Sequence, residues 1–124
     1  MFIDTQGTQM IGHGRVRDVQ VSAHTIPTDG PETDGTLEWN ATTIVIVEAS
    51  AQGATGLGYT YADRATAALV RDRLAPIVRG CEPDGIPAVW RAMVRSVRNL
   101  GRPGIASMAI AAVDVALWDL KARI

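Results

Sequence analysis

The chain has 124 residues, of which 47% are hydrophobic and 20% charged, with a net charge of -1. That is one domain of ordinary globular composition, with no basic excess to hold nucleic acid. A single cysteine (Cys81) excludes an internal disulfide, no charge-free apolar run reaches the roughly 18 residues of a membrane span, and residues 1–14 lack a secretory signal, so a reducing, cytoplasmic setting is expected.

Residues 1–14 show no periodicity and read as a tail; residues 15–124 read as one domain. Val16 to Ile26 alternates, with Val19, Val21 and Ala23 on one side and Asp18, Gln20, Ser22 and His24 on the other, which predicts a half-buried strand. Pro27 to Asn40 holds two prolines, two glycines and four acids and reads as a long loop. Asn40-Ala41-Thr42 within and after it matches a glycosylation sequon, a chance match without a signal peptide. Thr42 to Ala49 is β-branched and reads as a more buried strand. Gln52-Gly53 sits where a tight hairpin turn belongs, and Ala54 to Tyr61 forms a third strand with Gly56 and Gly58 on one face. Three successive strands predict an antiparallel meander.

The helical half follows. Asp63 caps a predicted helix that runs to about Leu74, with Pro76 ending or kinking it. Asp84 is placed to cap a second helix with Pro87 in its first turn. Its apolar positions Ile86, Val89, Trp90, Met93, Val97 and Leu100 make one stripe. Asn99 to Gly104 is a break. The last element, Ile105 to Ile124, is apolar nearly all round; from Ile105 to Trp118 only Ser107 and Asp114 are polar. Such a helix needs cover on every side, and what precedes it is too small to supply that. The chain is therefore expected to be one piece of a larger body, in an α+β class: a three-stranded antiparallel meander followed by a bundle of about three helices.

Few residues suggest chemistry. His24 lies beside Ser22 on the polar side of the first strand, and a surface histidine is expected there. His13 sits in the tail. One Cys and two scattered His do not make a zinc site. Cys81 is expected to be structural or incidental. Gly53-Ala54-Thr55-Gly56-Leu57-Gly58 has the order G-x-x-G-x-G with no helix after it, so a hairpin with a flat strand face accounts for it better than a phosphate loop. Arg91, Arg95 and Arg98 form a basic row on one helix face and read as solvated surface. Asp114, set among alanines and valines, is costly to bury alone. It is expected to pair with an arginine such as Arg98 or Arg102, or with a group outside the chain. Tyr59, Tyr61 and Trp39 concentrate aromatic rings with polar tips near one end of the strands. From the residues alone, plugging the sheet edge and contacting a ligand are equal accounts of them.

The run Ala109-Ile110-Ala111-Ala112-Val113-Asp114-Val115-Ala116-Leu117-Trp118-Asp119-Leu120-Lys121, with Ile26-Pro27-Thr28, the strand Thr43 to Glu48 and the segment Gly53 to Tyr61, resembles the N-terminal capping domain of the enolase superfamily, in its mandelate racemase/muconate lactonizing enzyme group. The resemblance covers roughly residues 15–124 and implies the same α+β fold. In that family a modified (β/α) barrel carries the chemistry: barrel bases abstract a proton beside a carboxylate, and three barrel acids hold Mg2+. No Lys-x-Lys pair occurs here, and Lys121 is the only lysine. The resemblance thus implies no catalytic and no metal residue in this chain, with Mg2+ and the carboxylate substrate belonging to a parent racemase, cycloisomerase or acid-sugar dehydratase. What carries over is substrate contact from a lid: Tyr59 first, then Tyr61, with Thr28 and Trp39 from the loop. The loop acids Asp29, Glu32, Asp34 and Glu38 are expected to face solvent. The expected partner is the missing barrel, with a homo-oligomer possible in principle. The rival reading is a stand-alone interaction module that dimerises through the apolar helix 105–120.

Overall fold

The structure, a computed structural model, describes residues 14–124; the expected tail lies almost wholly outside them. Three antiparallel strands form one sheet in the order β1-β2-β3: β1 Asp18–Thr33, β2 Glu38–Ala51 and β3 Ala54–Tyr61. Gln52 and Gly53 both take positive φ (52° and 79°), the hairpin turn whose twist matches the flanking strands, and Ala51 pairs with Ala54 across it. The meander is as expected from the sequence.

The expected long loop is instead the outer half of the β1–β2 hairpin. Pairing continues through Pro27 opposite Ala41, breaks at an irregularity, and resumes with Glu32 opposite Trp39 and Thr33 opposite Glu38. Pro27 and Pro31 lack N–H donors, which an edge strand tolerates at a bulge. At the tip the Asp34 carboxylate accepts from the Thr36 and Leu37 N–H groups and from the Thr36 hydroxyl. That turn joins two strands where composition alone suggested irregular chain.

One helical body covers 64–78: α1 Arg64–Leu69, a π-helical turn Val70–Leu74 and α2 Ala75–Val78. Asp63 caps it, accepting from Ala65 N–H at 2.8 Å. Pro76 does not end the helical run, which continues to Val78. The π turn just ahead, closed by Ala75 N–H to the Val70 carbonyl, widens the helix where the proline ring would crowd the Asp72 carbonyl. α3 spans Ile86–Ser96, a 3-10 turn Arg98–Leu100, and α4 Ile105–Arg123. Asp84 does not cap α3: the cap position falls one residue later, at Gly85, and Asp84 pairs with Lys121 at 3.4 Å. The expected α3 stripe is also narrower, because Ile86, Val89, Met93 and Val97 are buried while Trp90 and Leu100 are on the surface. Cys81 lies in the α2–α3 turn, where its thiol donates to the Ile77 carbonyl at 3.1 Å and its own carbonyl takes Val16 N–H at 2.9 Å, tying the start of the domain to that turn.

The core lies between one face of the sheet and the helices, built on Val19, Val47, Val70, Leu74, Met93, Val113 and Leu120. α4 sits directly on β3. A Cβ at Gly56 would collide with the Ala116 carbonyl, and one at Gly58 with the Ala112 carbonyl. The two glycines and the alanines of α4 therefore bring helix and strand backbones together. No helix among the described residues is long and apolar enough to cross a membrane.

Candidate functional site

Because Gly56 and Gly58 turn toward α4, strand alternation sends Leu57, Tyr59 and Tyr61 to the opposite, uncovered face of the sheet. Tyr59 is 56% and Tyr61 62% exposed, and their rings meet edge to face with centroids 6.0 Å apart. Register sets their neighbours. Tyr61 lies opposite Ile44, which lies opposite His24; Tyr59 lies opposite Ile46, which lies opposite Ser22. The face therefore has an aliphatic floor of Ile44 and Ile46, a tyrosine wall on β3 and a polar wall on β1. Along that wall His24 and Ser22 are hydrogen-bonded (Nε2 to Oγ, 3.0 Å). No acid orients the His24 ring among the described residues, so the pair has no general-base machinery.

The other two candidates lie on the hairpin arm. The Trp39 indole N–H donates to Glu32 at 2.9 Å, and the Thr28 hydroxyl donates to the Gly30 carbonyl at 2.7 Å, inside the irregular stretch. Trp39 is out of phase with Ile44 and Ile46 along β2, which places it on the other face from the tyrosines. The structure brings Tyr59 and Tyr61 together and leaves Thr28 and Trp39 apart from them on the arm. Asp29, Glu32, Asp34 and Glu38 are all exposed, as expected. The hydrogen bonds to Thr36, then to the Leu37 N–H, hold the Asp34 carboxyl below its ordinary range.

α4 carries two acids with opposite electrostatics. Asp119 accepts from Arg123 Nε at 2.9 Å and from the Leu57 N–H at 2.8 Å, on the outer edge of β3. Those two bonds, Arg123 first, lower its pKa. This tie between helix and strand edge was not anticipated; an i,i+4 Asp–Arg pair in the last helical turn was its only sequence signal. Asp114 makes no ion pair among the described residues, so the expected pairing with Arg98 or Arg102 does not form. The Arg102 guanidinium lies over the Trp90 ring at 5.2 Å instead, an attraction that competes with the carboxylate for it. Partial burial raises the Asp114 pKa, and a hydrogen bond from Trp118 opposes that rise.

Among the described residues no three His, Cys, Asp or Glu come together in a way that could hold a metal ion.

Residues 16–124 match the family described as mandelate racemase / muconate lactonizing enzyme, N-terminal domain. The 3,6-anhydro-alpha-L-galactonate cycloisomerase of Streptomyces coelicolor is 35% identical over 114 residues, which span 86% of this chain and 31% of that protein. A mandelate racemase/muconate lactonizing enzyme-like protein from Rubrobacter xylanophilus superposes with a TM-score of 0.85 at 52% identity, over 88% of this chain and 30% of that one. An L-talarate dehydratase from Polaromonas, crystallised with Mg and L-glucarate, gives 0.77 at 32% identity, over 88% of this chain and 32% of that one. The chain thus spans about a third of the length of the relatives it matches, and it belongs to the mandelate racemase/muconate lactonizing enzyme family as its N-terminal domain.

Proposed function

We propose that this domain caps the active site of an enzyme that abstracts a proton beside a carboxylate, and that its uncovered sheet face closes over the substrate. Two of the relatives named above, the cycloisomerase and the L-talarate dehydratase, act on or bind sugar acids, and racemase, cycloisomerase and acid-sugar dehydratase chemistry all begin with such a step. The observation that carries the reading is the pair Tyr59 and Tyr61: two half-exposed phenols, in contact, held on a rigid strand over an aliphatic floor. Phenol O–H groups suit a polyhydroxylated acid, whose hydroxyls donate and accept, and the rings exclude water above it. Tyr59 is the first contact and Tyr61 the second, with Thr28 a third from the arm; Trp39, on the other face, is not among them. Reaction and metal belong to the C-terminal domain. Mg2+ does not fit the described residues of this one, which offer no ligand cluster, and no step here is assigned to it. The single, half-buried, unpaired Cys81 suits a cytoplasmic enzyme.

The test is a graft of residues 16–124 in place of the matching third of the S. coelicolor cycloisomerase, assayed on 3,6-anhydro-L-galactonate. Tyr59→Phe removes one hydroxyl and is expected to raise KM about tenfold, the worth of one good hydrogen bond. Unchanged KM and kcat in both Tyr59→Phe and Tyr61→Phe would remove the sheet face from the active site.

A further inference from the structure

The two edges of the sheet are finished differently. Ala62 N–H donates to the Thr43 carbonyl, so odd-numbered residues of β2 bond toward β3 and even-numbered ones toward β1. Through the register from Asp18 opposite Ser50 to Ile26 opposite Thr42, the even-numbered residues of β1 bond inward. The backbone polar groups of Val19, Val21, Ala23, Thr25 and Pro27 therefore look outward. On β3 the edge is stopped in its middle, where Leu57 N–H donates to Asp119 at 2.8 Å. On β1 it is stopped only at its ends. Val19 N–H donates to the Asp18 carboxylate at 2.8 Å, the Val19 carbonyl takes Arg79 at 3.1 Å, and Pro27 has no N–H. Between those stops the backbone groups of Val21, Ala23 and Thr25 meet no outward partner among the described residues. An edge left open in its middle is a template for another strand. The helices leave half of it bare, since Val19 is buried, Val21 and Ala23 are half-buried and Thr25 is exposed.

We infer that this edge pairs with the same edge of a second copy of the chain, antiparallel, with Ala23 opposite the partner's Ala23. Val21 then meets the partner's Thr25, and Val21, Ala23 and Thr25 exchange both backbone bonds with their counterparts. The two stops fall opposite each other: Val19, already satisfied, faces the partner's Pro27, which has no N–H to give. Sliding the register one step wastes bonds, because it sets Pro27 against Val21 or the satisfied Val19 against Thr25. The same two-fold places the helices of each copy beside the bare arm of the other, so the helical layers do not collide. On the uncovered face Ser22 meets the partner's His24, the hydroxyl–imidazole pairing that the chain already makes at 3.0 Å within β1. Like edges joined by a two-fold close on themselves and give a dimer rather than a filament. Tyr59 and Tyr61 stay open, two strands away from the joint.

The experiment is sedimentation equilibrium of the 124-residue chain with hydrogen exchange on the same samples. A dimer is expected, with the Val21, Ala23 and Thr25 amides protected in it and exchanging faster on dilution. Ser22→Glu with His24→Glu sets like charges opposite each other across the two-fold and is expected to raise the dissociation constant at least about tenfold. Ser22→Glu with His24→Lys changes the same two positions, sets opposite charges there and keeps the dimer, which separates loss of pairing from loss of fold. Ala23→Pro removes the central donor without removing a bond inside the chain, and is expected to give a folded monomer. A chain that stays monomeric at every concentration it tolerates overturns the inference. So does a dimer that the double glutamate spares and Val115→Lys dissociates, which would belong to the exposed side of α4. A monomer whose Val21 and Thr25 amides lose protection when residues 1–13 are deleted would give the edge to that segment and overturn it as well.

Discussion

Two acids one and a half turns apart on α4 have opposite effects on stability. Asp119 is bonded by Arg123 and by the Leu57 amide, so its folded pKa lies below the value near 3.9 of an unfolded aspartate. Its stabilisation is fully present above that value and is lost as pH falls through the folded pKa. Asp114 is the reverse. Burial raises its folded pKa, so the folded state holds the proton more tightly, and stability declines as pH rises from the unfolded value through the raised one. Asp114→Asn in the 124-residue chain is therefore expected to leave stability at pH 7 unchanged or higher and to flatten the pH profile above pH 4. Asp119→Asn is expected to destabilise at pH 7 and to steepen nothing below pH 4. Urea melts across pH 3 to 7 separate the two, and a large loss for Asp114→Asn at pH 7 would mean that an unseen cation pairs with it. The sequence marked Asp114 as costly but could not show that Arg102 prefers the Trp90 face, because that choice is made by three elements meeting in space.

Packing of α4 on β3 depends on two missing side chains. Gly58→Ala puts a methyl into the Ala112 carbonyl and the Ala116 amide, backbone that cannot rotate away. It is expected to cost about 3 kcal/mol, the upper end of ordinary overpacking. Gly30→Ala, where nothing lies within 4 Å, should stay within about 0.5 kcal/mol. Urea titration checks both, and equal effects would mean that the close approach does not limit the fold. The hairpin arm beyond β3 is the opposite case: a two-stranded ribbon, marginal without a third strand. Trp39→Ala removes its cross-strand bond to Glu32, and amide exchange in residues 28–33 and 38–41 is expected to rise about tenfold while 44–50 stay protected. Uniform exchange along β2 would show that the arm is held by something other than this bond. The three strands, the 52–53 turn, the two inward glycines and the α3–α4 break could all be read from alternation and turn residues, which act locally. The arm could not, because Pro, Gly and acids are loop-formers by composition and it takes cross-strand pairing, Pro27 with Ala41, Glu32 with Trp39 and Thr33 with Glu38, to make them strand. Nor could the π turn at Val70–Leu74, which solves a clash between Pro76 and the preceding turn that periodicity does not register.

At the level of the whole molecule, the sheet and α4 present two different surfaces back to back. One carries phenols over a short aliphatic floor, suited to a small polar ligand that comes and goes. The other carries Met108, Val115 and Trp118 in a stripe along most of a 19-residue helix, which is permanent-contact chemistry. The sequence had already signalled this second surface, since a helix apolar on every side must be covered on every side; what it could not signal was which side the sheet takes. The stripe predicts the behaviour of the domain by itself. Val115→Lys replaces a half-exposed valine that no core residue depends on, so the melt of the 124-residue chain should move by no more than about 0.5 kcal/mol. Its onset of light scattering with concentration should rise severalfold, because the charge interrupts the stripe at its centre. A scattering onset that ignores the lysine would show that the exposed stripe of Met108, Val115 and Trp118 does not drive self-association of the isolated chain.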